Sequence, residues 1–419
     1  MNDVKHLRND LNAVVMFFRP IGKDFKCGPK TVDTFLELLK GVPDFRDPMK
    51  IKYKLENLLF ICFYLSLKGE FTSFYHVANY VEVKQDWFIE RGLVKEGELP
   101  SHDTFMRIFQ YLDANGLRDT FLNKIKYLVE RLVEMDQSAK NKHKLISGDG
   151  KEIRGSGRSG RSYNINMFNI FCLSNGLCLS STPLSDKDSE IPEFQRLLPK
   201  FNLKNCMVTA DALHCQRETC SIIIDRKGNY TIKVKDNQSE LKSNIIRMLA
   251  RYPDKLVSLS HNHCDYKILI LPRTYIGADW PGARAYIQMI SHKRIHQKDY
   301  NPEPQYFVSS VTNTELIMEA ADNRWGIEDD LHRFKDSFLN EDKCTFTHPN
   351  ALKTMATLNN IVFALYKLAA AVNNETMDRT RIRYHDDPME MLSLLLPLLN
   401  KKNVNQLIKD NMRGAKRSK

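Results

Sequence analysis

The sequence contains no apolar run long enough to cross a membrane. A membrane helix needs about 18 consecutive apolar residues, whereas the longest run, Leu58–Leu67, has the length of a buried helix. The opening residues MNDVKHLRND also lack the apolar stretch of a secretory signal. These absences predict a cytoplasmic protein that has no membrane segment.

Cysteine pairs are missing as well. The 9 cysteines stand singly, in an odd number and without CxxC spacing, which argues against a disulfide framework or a zinc ribbon and favours a reducing compartment. The string His261-Asn262-His263-Cys264 looks like a metal ligand set, but no second ligand pair stands at zinc spacing. We therefore predict no zinc site.

Acidic residues are in the minority. Asp and Glu total 51 against 62 Lys and Arg, so the formal net charge is +11. An excess of this size favours a polyanionic partner but does not identify one. The hydrophobic and charged fractions, 42% and 27%, are close to globular averages and exclude a disordered or fibrous chain. The 419 residues suffice for about two to four domains.

Helical periodicity dominates the first third of the chain. Apolar residues recur at helical spacing within 30–135, and the polar, basic segment 137–144 then predicts a linker. After the linker the pattern changes to short strands, three of which are joined by close turns, including a hairpin turn at Asn175-Gly176. Strands and helices follow in the order β-β-β-α-β-α-β-α, which predicts an α/β fold.

Residues 255–311 break this rhythm with three more strand-like segments, and we predict a β-rich insertion at about 252–312. A helix over 314–340 and another over 350–371 are predicted to follow it. The predicted domains are an all-α N-terminal domain at 1–136, an α/β domain at 143–345, and C-terminal helices with a basic tail at 346–419. The tail is either a solvated segment or a DNA contact.

Two aspartates follow short apolar strands. Asp149 ends the string Leu145–Asp149, and Asp211 ends the string Met207–Asp211. Such a carboxylate is either a turn or helix-capping residue, or a ligand that projects into a crevice at the sheet edge, because an unpaired buried charge is unfavourable. Two of them in one domain favour metal binding.

Glu328 is the third candidate carboxylate. On a continuous helix, Arg324, Glu328 and Lys335 would stand at i, i+4 and i+11 and share roughly one face. The two cations would then flank the carboxylate where a phosphodiester could lie. The alternative is an ordinary surface ion pair at i,i+4 spacing. Asp329 and Asp330 point to other faces and are second choices.

Three carboxylates fit two-metal chemistry. Two Mg²⁺ ions about 3.5–4 Å apart can activate a water or a 3′-hydroxyl and stabilise the leaving oxygen of a phosphodiester. Mg²⁺ prefers a few carboxylates together with substrate phosphate. We therefore expect Asp149, Asp211 and Glu328 to converge. We also expect Asp211→Asn to abolish strand cleavage at little loss of stability, because the change is nearly isosteric.

The glycine-rich string Gly155–Gly160 matches the dinucleotide pattern GxGxxG, but no apolar strand precedes it and no helix follows it. We reject a dinucleotide site for that reason. A basic loop is left, with Lys151, Arg154, Arg158 and Arg161, which is either solvated or in contact with a DNA backbone.

Several strings together resemble one family, the bacterial insertion-sequence DDE transposases, and in particular their H-repeat-associated group related to Rhs elements. The family's first and second aspartate motifs resemble Gly148–Lys151 and Thr209–Gln216, and its glutamate helix resembles Arg324–His332. Two connecting motifs are similar to Lys187–Ile191, with Asp-Ser in place of Ser-Asn, and to Lys233–Gln238, with Asp in place of Gly.

The likeness extends over about 30–375. The strings Val42–Pro48 and Leu99–Phe105 resemble the family's associated helical domain. The family's Tyr-Arg-Glu-Lys signature is kept at its last three positions, but Ala321 stands in place of the tyrosine. A tyrosine contact to DNA is therefore not expected there.

The resemblance implies an RNase H-like catalytic core with a mixed sheet, in a transposase that cleaves and transfers DNA strands at transposon ends. It implies that Asp149, Asp211 and Glu328 are catalytic and hold two Mg²⁺ or Mn²⁺ ions. The implied partner is double-stranded DNA, both transposon ends and target, bound by a dimer or higher oligomer in the bacterial nucleoid. The residues expected to contact DNA are Lys151, Arg154, Lys235, Arg324 and Lys335.

Two other functions stay open at this point. The chain could be a catalytically silent, DNA-binding relic of a transposase, or an RNase H-like nuclease that cuts without joining. The intact carboxylate trio argues against the relic, whereas no feature of the sequence separates cleavage from strand transfer.

Overall fold

The computed structural model describes most of the chain. The described residues are 29–123, 143–157, 164–184, 189–272, 280–292, 302–373 and 375–396. Residues 137–142 of the predicted linker, Arg158 and Arg161 of the basic loop, and the basic tail at 401–419 lie outside these ranges.

Helices make up the described N-terminal part. Residues 114–123 are helical, and the helices before them are α1 (Pro29–Leu39), α2 (Leu55–Leu67), α3 (Phe74–Val83), α4 (Gln85–Glu90) and α5 (His102–Tyr111). As its composition predicts, α2 is apolar on all sides and almost entirely buried. Phe35 of α1 stacks on Phe63 of α2, and Phe121 packs beside both rings.

The described strands form one mixed sheet. They are β1 (Lys144–Ile153), β2 (Ile165–Cys172), β3 (Leu177–Leu184), β4 (Cys206–Ala210), β5 (Asn229–Val234), β6 (Leu256–His261), β7 (Cys264–Ile270), β8 (Ala285–Ser291) and β9 (Gln305–Ser309). Their order is β3-β2-β1-β4-β5-β9-β8-β7-β6. The helices between them are α6 (Glu190–Leu197), α7 (Arg217–Asp225) and α8 (Ser239–Arg251).

The sheet combines three kinds of connection. The strands β1, β2 and β3 are an antiparallel meander, and β4 and β5 add to β1 in parallel. The predicted hairpin turn is confirmed, with Gly176 at a φ of 68°. The strands from β6 to β9 are antiparallel and extend the same sheet beyond β5. Of these four, β6 was not predicted.

The prediction that β1 ends at Asp149 is wrong. The strand continues to Ile153 and stays paired with β2 throughout. Glycines on either side of Asp149 permit this, because a side chain at Gly148 would collide with Phe194 and one at Gly150 would collide with Glu190, both on α6. The two glycines that indicate a turn in the sequence therefore allow close packing of a helix on the strand.

The predicted helix over 314–340 is helical from Thr314 to Ser337, but it is not one regular α-helix. The segment contains α9 (Thr314–Asp322), a 3₁₀ turn at Asn323–Trp325, a π-helical turn at Ile327–His332, and α10 (Arg333–Ser337). A π turn holds more residues than an α turn and so rotates the residues that follow it by about 100° relative to a regular helix. Residues on the two sides of this turn therefore do not keep the spacing of a single α-helix.

A long C-terminal helix joins the N-terminal helices to the sheet. The remaining helices are α11 (Pro349–Asn373), α12 (Met377–Tyr384) and α13 (Pro388–Leu395). The α11 helix packs on β3, α5 and α2. Its Tyr366 hydroxyl donates to the Leu67 carbonyl over 2.9 Å, and its Asn359 accepts from the Ser66 hydroxyl over 2.7 Å. The predicted domain boundaries stay a prediction. None of the described helices is long and apolar enough to span a bilayer.

The turn after α2 generates the first testable prediction. Gly69 has a φ of +69°, and an added Cβ would collide with the Phe338 backbone carbonyl that follows α10. Gly92 has a φ of +65° but open space around it. Both Gly→Ala changes should lower the free energy of unfolding by about 1–2 kcal/mol, because alanine is strained in the left-handed conformation. Gly69→Ala should lose about 1–3 kcal/mol more through the collision. Urea unfolding of both variants measures the difference, and equal losses would contradict the close approach.

Candidate active site

The register of the parallel strands brings Asp149 and Asp211 together. Ser147 of β1 lies opposite Thr209 of β4, and Asp211 continues the extended backbone just beyond β4. Asp149 and Asp211 each stand two residues beyond this pair on adjacent strands, and they are close enough for the Asp211 charge to raise the pKa of Asp149. Side chains alternate along a strand, so the two aspartates share the face that carries Ser147 and Thr209.

The segment that contains Glu328 packs on this face of β1 and β4. Thr209 donates from its hydroxyl to the Ala320 carbonyl of α9 over 3.0 Å, and β1 contacts the π turn that contains Glu328. The carboxylates act on one another. Burial, Glu328 and Glu190 raise the pKa of Asp149 to about 8. Burial raises the pKa of Glu328, and Asp211 adds to that rise although Arg324 opposes it.

Arg324 is the cation that these carboxylates share. Its side chain is only 2% exposed, and Nη1 donates to Asp211 Oδ1 over 2.8 Å. Burial lowers the pKa of Arg324, whereas Asp211, Glu328 and Asp149 raise it, in that order of strength. The 3₁₀ turn before the π turn therefore holds a guanidinium that pairs with Asp211 and lies within electrostatic range of Asp149 and Glu328.

Two of the guanidinium nitrogens are unsatisfied. Within the described part of the chain, Arg324 Nε and Nη2 are buried and have no hydrogen-bond partner. Leaving a buried charged donor unpaired is unfavourable by more than about 1–3 kcal/mol. An anionic oxygen at this edge of the sheet would satisfy both groups, and a planar guanidinium suits a phosphate in particular.

Lysines surround Asp211 on its other side. Lys235 Nζ lies 3.4 Å from Asp211 Oδ2, and its side chain is about half exposed. Burial of the Asp211 carboxyl raises its pKa, but Arg324, the Ala212 backbone N–H and Lys235 outweigh burial and lower it overall. Burial, with Arg324 and Lys235 nearby, lowers the pKa of Lys233 to about 8. In the sequence, Lys233 stands only within a connecting motif, and its position beside the candidate site was not predicted.

Sequence reasoning also missed the polar side chains around Asp149. His332 of the π turn is buried, and its Nδ1 lies 3.6 Å from Asp149 Oδ2. Burial, Lys335 and Lys151 hold the pKa of His332 well below its usual range. Asn169 of β2 contacts the other ring nitrogen of His332. An asparagine that interrupts the apolar face of a central strand was the available signal.

The predicted DNA contacts occupy different environments. Arg154 is 80% exposed beside Asp342, whereas Lys151 is buried between Asp336 and Asp342, at 2.5 and 3.1 Å. Lys335 has no exposed surface, and its Nζ lies 3.6 Å from the equally buried Glu341. The π turn has rotated Lys335 away from the face of Glu328, so the expectation that both share one face is wrong.

Among the described residues, no three His, Cys, Asp or Glu side chains stand close enough together to hold a metal ion. The donor set nevertheless fits a hard divalent cation, because it consists of carboxylates on one sheet edge. Burial first, and then the neighbouring Glu328, Glu190 and Asp211, raise the pKa of Asp149, and a bound cation would offset the repulsion among these carboxylates. The assignment of the three carboxylates as metal ligands stays a prediction.

Two protein families match the chain, and two related proteins align with most of its length. The family described as "Transposase DDE domain" matches residues 134–365, and the one described as "DDE_Tnp_1-associated" matches residues 36–124. The chain is 24% identical to "Putative protein YbfL" of Escherichia coli K12 over 350 residues, which are 78% of this chain and 88% of that protein. It is 23% identical to "H repeat-associated putative transposase YhhI" of the same strain, with the same coverage.

The resemblance inferred from the sequence is thereby confirmed. A cryo-EM structure of the piggyBac transposase synaptic complex with hairpin DNA is similar at a TM-score of 0.41 and 11% identity. That similarity covers 91% of this chain and 82% of the other. No conclusion rests on a score of this size.

The opposite pKa shifts of the two aspartates predict opposite effects of neutralisation. The Asp149 carboxyl titrates near 8 in the folded chain and near ~3.9 when unfolded, so the folded state binds the extra proton and stability falls as pH rises between these values. Asp149→Asn removes this loss. It should be more stable than the parent by about 1–3 kcal/mol at pH 8 and nearly equal to it at about pH 4.

Asp211→Asn should destabilise the protein at neutral pH, because it leaves the buried Arg324 without its partner. This corrects the expectation that Asp211→Asn costs little stability. Urea unfolding of both variants from pH 4.5 to pH 8 measures the effects, with the exposed Asp329→Asn as control. A stability gain at position 211, or none at position 149, would contradict the described electrostatics.

The burial of Lys335 leads to a different prediction. Lys335→Met should lower the free energy of unfolding by about 3–5 kcal/mol, because Glu341 is left as an unpaired buried charge. Adding Glu341→Gln should recover most of the loss, since the amide oxygen still accepts from Asn359. Urea unfolding tests the pair. A Lys335→Met variant of parental stability that binds DNA with a shallower salt dependence would restore the predicted DNA contact.

Proposed function

The chain belongs to the transposase DDE domain family, and on that premise we propose that it cleaves DNA strands at the ends of an insertion sequence and transfers them to a target. One observation carries the proposal. Asp149, Asp211 and Glu328 come from three separate parts of the fold and act electrostatically on one buried guanidinium, Arg324, which pairs with Asp211 and has unsatisfied N–H groups.

The three carboxylates and Arg324 have complementary roles in this proposal. Asp149, Asp211 and Glu328 supply the oxygen ligands for two Mg²⁺ or Mn²⁺ ions. The bound ions would activate the attacking oxygen and stabilise the leaving oxygen of the phosphodiester. Arg324 donates its unsatisfied N–H groups to the phosphate, which fixes the scissile group beside the carboxylates. In cleavage, water attacks the phosphorus and the 3′-oxygen leaves as a 3′-hydroxyl. In transfer, that 3′-hydroxyl attacks a phosphorus of the target strand, and the 3′-oxygen of the target leaves.

Exposed basic residues support double-stranded DNA as the partner. Lys235 lies beside Asp211, and Arg154 follows β1 on the surface. These two side chains are available to neutralise phosphates, whereas Lys151 and Lys335 are held in buried ion pairs. We therefore assign the contact with the DNA backbone to Arg154 and Lys235. Arg324 is buried as well, and we assign it the scissile phosphate alone because of its unsatisfied N–H groups. A dimer or higher oligomer on DNA and an association with the nucleoid remain predictions from the family.

The strand order supports an RNase H-like core. An antiparallel meander of three strands, followed by two strands added in parallel to the first, is the arrangement implied by the sequence resemblance. In this proposal the core comprises β1 to β5, the strands from β6 to β9 are the predicted insertion, and the helices within 29–123 are a separate all-α domain.

Metal-dependent nicking and joining of end-bearing DNA tests the proposal. Asp149→Asn, Asp211→Asn and Glu328→Gln should each reduce strand cleavage at least about 10³-fold, since an amide cannot replace the charge that holds two cations. Binding to the same DNA without metal should persist in all three. Asp329→Asn is the matched control, because it neutralises the exposed carboxylate next to Glu328 and should cut like the parent.

The outcomes separate the alternatives. Parental activity in any of the three variants would overturn the assignment of that carboxylate. Tight end binding without cleavage in the parent would favour the silent relic. Cleavage without joining would favour a nuclease.

A further inference from the structure

A row of polar side chains crosses three neighbouring strands and ends at Asp149. Ser181 of β3 lies opposite Asn169 of β2, and Asn169 lies opposite Asp149 of β1. Ser181 and Asn169 are 5% and 0% exposed. Polar groups are retained at such depth only when they are hydrogen-bonded, so the partners of each one can be followed in turn.

The row begins on the long C-terminal helix. Asn360 of α11 donates from Nδ2 to the Ser181 hydroxyl over 2.7 Å. Because that hydroxyl accepts from Asn360, its own proton is free to point onward, and it donates to Asn169 Oδ1 over 2.5 Å. The oxygen of the Asn169 amide is thereby assigned by the donor that faces it.

The nitrogen of the same amide is assigned independently. Asn169 Nδ2 lies 3.1 Å from the Met167 carbonyl, which can only accept. The second hydrogen of Nδ2 then points to His332 Nε2, at 3.3 Å. A ring nitrogen that faces a donor must offer its lone pair, so the proton of the neutral imidazole is on Nδ1. That nitrogen is the one 3.6 Å from Asp149 Oδ2.

We propose that His332 is a positioning residue for Asp149. Asn360, Ser181 and Asn169 hold its ring in the tautomer that directs Nδ1–H at one carboxylate oxygen, which leaves the other oxygen for a divalent cation. The inference rests on the proposed function, because it takes Asp149 as a metal ligand. Residues that orient a ligand in this way are typically worth about 10–100-fold in metal affinity.

Two substitutions of His332 separate this role from packing. In His332→Asn the amide nitrogen can occupy the place of Nδ1 and still present an N–H to Asp149. In His332→Gln the longer side chain places its amide near the position of Nε2, where it reaches Asn169 but offers no donor to Asp149. Both variants remove the ring, so a purely structural role would affect Mn²⁺ binding equally in the two.

The measurement is Mn²⁺ binding to the metal-free, full-length protein, by titration calorimetry. We expect His332→Gln to weaken binding about 10-fold or more and His332→Asn to stay within about 3-fold of the parent. Urea unfolding of both variants accompanies the titration. Equal binding by the parent and His332→Gln would overturn the positioning role, and so would equal weakening by both variants.

The tautomer of His332 can also be measured by spectroscopy in the unsubstituted protein. Two-bond ¹H–¹⁵N spectra of the parent labelled with [¹⁵N]histidine distinguish the tautomers, and the signal that His332→Gln removes belongs to His332. A neutral Nδ1–H tautomer supports the proposal, whereas an Nε2–H tautomer or an imidazolium at pH 7 overturns it.

The failure of the proposed function has its own signature. If the parent binds no Mn²⁺, or if Asp149→Asn binds it as tightly as the parent, the metal site at Asp149 is wrong and the role of His332 falls with it. If Asp149→Asn loses binding and His332→Gln does not, only the positioning role is wrong.

Discussion

The site depends on a single constraint, which is that carboxylates cannot share a small volume without a cation. Two unit charges 4 Å apart repel by about 4 kcal/mol at an effective dielectric constant near 20. Arg324 offsets part of this repulsion, because its buried guanidinium pairs with Asp211 and lies within electrostatic range of Asp149 and Glu328. The compensation is incomplete, because burial together with Glu328 and Glu190 still raises the pKa of Asp149 to about 8. Binding of divalent ions would therefore displace a proton.

A second cluster of charges braces the segment that carries Glu328. Lys151 at the end of β1 pairs with Asp336 and Asp342, and Lys335 pairs with Glu341. These contacts connect β1, α10 and the turn that follows α10, so they hold the segment that comes directly after the π turn. Lys335, the lysine of the Tyr-Arg-Glu-Lys signature, therefore has a structural role in this chain.

The sequence predicted what depends on neighbours along the chain. The hairpin at Asn175-Gly176 and the strands before Asp211 follow from local patterns, and the pairing of parallel strands then brings Asp149 beside Asp211. The partnership of Arg324 with Asp211 spans 113 residues, and no local pattern encodes it. The burial of Lys335 could not be predicted either, because it depends on a π turn that has no marker in the spacing of charged residues.

The location of the site follows from a difference in strand length. The β1 strand has 10 residues and β4 has 5, and their pairing ends at Ser147 and Thr209. From Gly148 onward, β1 is paired with β2 but no longer with β4, so a notch opens at the edge where Asp149 and Asp211 lie. Gly148 and Gly150 let α6 close the opposite face of β1. Arg324 and Lys235 both lie beside Asp211 at this edge, so positive charge stands next to the acidic groups at the point where β1 and β4 separate.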